Sequence, residues 1–137
     1  MNTEISKSEL KVIEKSLDKL FADLGIDIAF SKHFHDRLND PRNKKQITPQ
    51  EIIDIYKDVK AKFGTKLSKS SGEVEKLIKS ASTSINIPVA IKYDRKTKEV
   101  DIVAMTVMRK KGFKSSTPSL NVEAELPSFR EYLKTST

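Results

Sequence analysis

The apolar residues of this chain keep one period in its first half and another in its second, and that change constrains the fold more than any other feature. Leu10, Ile13, Leu17, Leu20, Phe21 and Leu24 recur at three- and four-residue steps, so they share one face of a helix predicted over 8–24. Gly25 follows in the position that ends such a pattern. From Ile85 the step becomes two. Ile85, Ile87, Val89, Ile91 and Tyr93 share a face; then, after the polar turn 94–98, Val100, Ile102, Ala104, Thr106 and Met108 alternate with Asp101, Val103, Met105, Val107 and Arg109. Two such runs across a short turn predict an antiparallel hairpin. The second run is apolar on both faces at its middle, which marks a central strand.

The intervening segments are read in the same way. Ile26–Phe30 is β-compatible. Ser31 can cap a short helix over 32–39, with Phe34 and Leu38 on one face and His33 and Arg37 on another. Residues 39–46 are polar, contain Pro41 and predict a loop. Thr48, Pro49 and Glu51 form a capping box with proline at the first helical position. The helix they open carries Ile52, Tyr56, Val59 and Phe63, and Gly64 predicts its end. Residues 66–72 read as a basic linker. Val74, Leu77, Ile78 and Ala81 predict a further short helix over 73–81. Residues 119–126 predict one more strand, and 127–134 a last helical turn. The order implies one α+β domain over 1–122, with the N-terminal helices packed on one face of an antiparallel β-meander, and a C-terminal tail over 123–137.

The net charge of +7 is unevenly spread. Residues 31–69 and 87–114 each carry a net +5, whereas 1–30 carry −2. A polyanion could meet both basic blocks if folding brings them together. The chain has no cysteine, which excludes disulfides, thiolate nucleophiles and cysteine metal sites. No apolar run approaches the ~18 residues of a membrane span. The charged first 20 residues lack the apolar centre of a signal peptide. The expected location is therefore within a cell or a particle assembled in one, with no membrane partner.

No glycine-rich phosphate loop and no Gly-x-Ser-x-Gly elbow is present. Two histidines at i, i+2 without a HExxH motif make a poor metal pair, so no metal or other cofactor is expected. What remains is His33 with Arg37, Arg42, Lys44 and Lys45 before the capped helix, and Lys92, Thr106, Arg109, Lys110 and Lys111 on the meander. Metal-independent RNA cleavage needs such an inventory. One group removes the ribose 2′-OH proton, another protonates the leaving oxygen, and fixed cations stabilise the phosphorane. Histidine suits the proton work and arginine the phosphate. A plainer reading makes His33 a helix-surface residue and Arg37 the ion-pair partner of Asp36 or Asp40.

The segment FSKHFHDRLNDPRNKKQITPQEI resembles the S-x-H-x-x-x-R…R…I-T-x-x-E-I opening of the barnase/EndoU/colicin/RelE-like ribonuclease superfamily, in particular its phage-encoded branch. The resemblance spans about residues 26–122, and IPVAIKYDRKTKEVDIVAMTVMRKKGFK is similar to the meander of that group. It implies an RNA site on the sheet. His33 and Arg37 match the helix motif and Arg42 the arginine before the next helix; Lys92, Thr106 and Arg109 match by strand position. His33 would be the general base or acid, Arg37, Arg42 and Arg109 would hold the scissile phosphate with Lys92 assisting, and Thr106 would orient an oxygen. The sheet carries no second histidine, so the pair is incomplete. The expectation is a small metal-independent endoribonuclease acting on RNA rather than DNA. The alternative is an inactive basic virion or internal phage protein that binds nucleic acid or another structural protein. The implied location is host cytoplasm or virion.

Overall fold

In the computed structural model, which describes residues 4–122, helix boundaries follow the caps. Ser6 opens α1 (Lys7–Phe21): its Oγ accepts from the Glu9 amide, and the Glu9 carboxylate accepts from the Ser6 amide, both at 3.1 Å. A 3-10 turn over Ala22–Leu24 follows, and Gly25 closes it at φ 67°, where a Cβ would be strained. After β1 (Ile26–Phe30), Ser31 caps α2 (Lys32–Leu38). Thr48 and Glu51 form the expected capping box of α3 (Pro49–Ser68).

Helix α3 continues through Gly64, where the sequence predicted an end, and takes in the start of the expected linker. A Cβ on Gly64 would stand 2.7 Å from Leu24 Cδ1. The glycine admits the close approach of the 3-10 turn after α1 and does not terminate the helix.

The sheet comprises β1, β2 (Glu73–Ser80), β3 (Ile85–Asp94), β4 (Glu99–Ala104), β5 (Met108–Arg109) and β6 (Ser119–Val122). Its order is β1-β4-β3-β2-β6, with β5 against β3. Strands β2, β3 and β4 form an antiparallel meander, and β4 is internal as expected. The flanking strands β1 and β6 join parallel to β4 and β2, so the sheet is mixed. The α+β class stands.

The helix expected over 73–81 is strand β2, paired with β3 from Glu73↔Lys92 to Lys79↔Asn86. The apparent stripe was not a face. Val74 is 41% exposed, whereas the adjacent Leu77 and Ile78 are 2% and 1% exposed, as on the two faces of a strand. The strand expected from 119 is observed through Val122; its continuation and the helical turn at 127–134 lie outside the described residues.

Leu10, Ile13, Leu17 and Phe21 of α1 and Ile52, Ile55, Tyr56 and Val59 of α3 pack with one face of the sheet in a single apolar cluster. Helix α1 also protects the open edge of β1. Asp18 Oδ1 accepts from the Ile28 amide at 2.7 Å and Glu14 Oε2 from the Phe30 amide at 2.9 Å. Carboxylates one helical turn apart thus meet alternate strand amides, which would otherwise invite another strand.

The run 99–110, expected as one strand, is broken by Pro88 on β3. The Met105 amide donates to Pro88 O at 2.9 Å, but proline has no N–H to return the bond. The freed Met105 carbonyl accepts from Ser31 Oγ at 2.7 Å. Pairing resumes with Asn86↔Met108, so Thr106 and Val107 stand opposite Ile87 alone. This is a β-bulge, and it reverses the alternation that follows. Val107, expected opposite Ile102, is 1% exposed in the core, and Arg109 is turned to the helix side with it.

Candidate functional site

Once turned inward, Arg109 becomes the hub of one end of the sheet. Its Nη2 and Nη1 donate to Glu51 Oε1 and Oε2 at 2.8 and 3.1 Å. The remaining donors reach Lys45 O (3.2 Å, from Nε), Gln46 O (3.1 Å) and Thr83 O (2.9 Å). A guanidinium has five N–H groups, and every one is used. The Arg109 amide donates to Asn43 Oδ1 at 3.0 Å, and Asn43 Nδ2 donates to Arg37 O at 2.8 Å. The α2–α3 loop, the start of α3, the β2–β3 turn and β5 are thereby joined.

These ties shape a cleft of about 970 Å³ at the end of the sheet. Its lining brings the segment from Arg37 to Lys45 together with Lys110 and Lys111 and with Thr83, Thr106 and Met108. Its lining carries seven basic side chains against the carboxylates of Asp40 and Glu51. Both basic blocks of the sequence contribute. The loop is held in a costly shape: Lys44 sits at φ 65°, ψ −46°, and the Lys45 amide donates back to Asn43 O at 2.6 Å, a γ-turn of the strained hand.

Of the residues singled out from sequence, Arg37, Arg42, Thr106 and Arg109 line this cleft together. Arg37 and Arg42 are 45% and 74% exposed and share Asp40, at 3.1 Å from Arg37 Nη1 and 2.8 Å from Arg42 Nη2. The ion pair of the plainer reading is thus present, with Asp40 as the partner. The Thr106 hydroxyl has no hydrogen-bond partner among the described residues. Arg109 lacks the free donor that a phosphate clamp requires, so its position makes it a structural tie.

His33 and Lys92 are placed elsewhere. His33 is exposed on α2 and absent from the cleft lining, although Arg37 one turn on belongs to it. Lys92 lies near the opposite end of β3, beside Asp101 in the register. His35 is structural: its Nε2 lies 3.1 Å from Ile5 O, which also accepts from Asn39 Nδ2 at 2.8 Å.

The sequence reading passed over Asn43 and had Asp40 only as an ion-pair partner of Arg37. Glu51 was legible only as a cap. Burial works to raise its carboxyl, but the hydrogen bonds from Arg109 and Thr48 and the Arg109 charge outweigh it and hold the group below the usual range. No group of three or more His, Asp or Glu among the described residues could hold a metal ion. No protein-family model, no curated protein and no solved structure matches this chain.

Proposed function

We propose that the protein binds the phosphate backbone of nucleic acid, RNA in the first place, in the cleft between the α2–α3 loop and the end of β5. The observation that carries this reading is the meeting of Arg37, Arg42, Lys44 and Lys45 with Lys110 and Lys111 in one concavity. Exposed cations of that kind neutralise phosphates without reading bases. RNA is preferred to DNA on the resemblance to the ribonuclease opening, of which Arg37 and Arg42 line the cleft. The same resemblance is the ground for a location in a phage virion or the host cytoplasm. Titrating a labelled oligoribonucleotide at increasing salt tests the reading: affinity falls steeply with salt if phosphates are the ligand.

A second reading, cleavage, is favoured by Thr106, which lines the same cleft as the two arginines and whose hydroxyl has no hydrogen-bond partner among the described residues. His33, outside the lining, is not positioned as its proton-transfer group. Cleavage of the labelled RNA that persists in EDTA and is lost in Thr106→Val supports this second reading. Intact RNA in a stable complex supports binding alone.

A further inference from the structure

Asp40 occupies donors of both exposed arginines of the cleft. Its Oδ2 accepts from Arg37 Nη1 at 3.1 Å and from Arg42 Nη2 at 2.8 Å, and Arg42 Nε lies 3.2 Å from both oxygens. The Arg42 amide adds a bond to Oδ1 at 2.9 Å. The Asp40 side chain is 19% exposed, whereas the arginine side chains that grip it are 45% and 74% exposed. Two arginines from different turns converge on one pair of oxygens, in the fork geometry that arginine uses for carboxylate and phosphate alike.

We propose that Asp40 is a built-in competitor for the anion position of this cleft, and that a phosphate group binds by taking over the Arg37 and Arg42 donors that Asp40 now holds. The inference rests on the nucleic-acid reading above and adds the place where the phosphate sits. The exchange is feasible because both arginine side chains are exposed, at 45% and 74%; pairs made by exposed side chains are individually weak, about 0.2–1 kcal/mol. A phosphodiester in a polymer brings neighbouring phosphates to Lys44, Lys45, Lys110 and Lys111, which Asp40 cannot do. The loop itself need not move, because Asn43 and Arg109 anchor it from behind.

The test compares Asp40→Asn with Asp36→Asn. Asp36 is exposed on α2 and outside the cleft lining, and its substitution changes the net charge by the same amount. Asn at position 40 can still accept from the Arg42 amide. Asp40→Ser, another capping residue, guards against a folding defect peculiar to one variant. The probe is a short fluorescein-labelled oligouridylate, read by anisotropy in moderate potassium chloride. The expected result is tighter binding by Asp40→Asn and Asp40→Ser, by about three- to tenfold from the release of two exposed pairs, with Asp36→Asn close to wild type. Equal tightening in all three variants would show a general charge effect and overturn the competitor role. Weaker binding in both position-40 variants, with thermal midpoints near wild type, would overturn it too, because Asp40 would then be orienting the arginines for the ligand. If neither wild type nor any variant binds, the nucleic-acid reading fails, and this inference with it.

Discussion

Arg109 and Glu51 meet across 58 positions of sequence in a two-point ion pair, with side chains only 11% and 13% exposed. The pair exists because a proline on the neighbouring strand forces a bulge that turns Arg109 inward. The capping glutamate of α3 thereby gains a second task, since its Oε1 also accepts from the Thr48 amide at 3.0 Å. A charge pair buried to this extent contributes little net stability when intact, but its half-removal is severe, because one charge is left unpaired.

Glu51→Gln therefore separates the two tasks. Glutamine can complete the capping box, whereas the Arg109 guanidinium loses its counter-ion. The expected loss is about 3 kcal/mol of unfolding free energy by urea denaturation, close to the range for breaking a buried pair. A loss below about 0.5 kcal/mol, the scatter of ordinary surface substitutions, would mean that the pair is solvated in solution.

Tyr56 offers the opposite sign. It is 1% exposed, its hydroxyl has no hydrogen-bond partner among the described residues, and burial pushes its phenol well above the usual range. Its ring is held edge-on to Phe21 and Phe30 at 6.4 and 5.9 Å. Tyr56→Phe keeps those contacts and removes an unsatisfied polar group, so stability rises by about 1 kcal/mol. A fall in the thermal midpoint would show that the hydroxyl has a partner.

The far end of the sheet titrates. Burial raises the Asp27 carboxyl to about 6, helped by Asp18, Asp101 and Glu99. The folded state therefore holds this proton more tightly than the unfolded chain, whose reference lies at 3.8. The resulting stabilisation is full below about pH 4 and is lost as pH rises through about 6. Glu51 acts in the other direction: its stabilisation is present above its unfolded value and is lost as pH falls through the lower folded one. Asp27→Asn should thus exceed wild type in urea midpoint at neutral pH and approach it near about pH 4. Equal midpoints at neutral pH would show that the Asp27 carboxylate carries no penalty.

Much of the fold was legible because its signals are local. Ser31 and Thr48 mark helix starts through bonds to amides three residues away. The hairpin of β3 and β4 follows from alternation. The features that failed depend on neighbours in space. Val74 and Ile78 fit a helical spacing, and only pairing with β3 decides for a strand. Pro88 is visible in the sequence, but its effect on Thr106, Val107 and Arg109 follows only once β4 lies beside β3. Arg109 looked like an exposed strand-end cation for that reason. His33, Arg37 and Arg42 were assigned together, by their clustering and by resemblance; the cleft lining takes in the two arginines and begins one helical turn after His33.

The most direct measurement of the central claim is the salt dependence of RNA binding by wild type and by Arg37→Ala/Arg42→Ala, with Lys92→Ala and His33→Ala as controls. The account predicts at least tenfold weaker binding by the double variant. The log–log salt slope should be shallower by about 1.4, two phosphate contacts on a single strand. Both controls should match wild type. Loss of affinity in Lys92→Ala but not in the double variant, or no RNA binding by the wild-type protein, would contradict it.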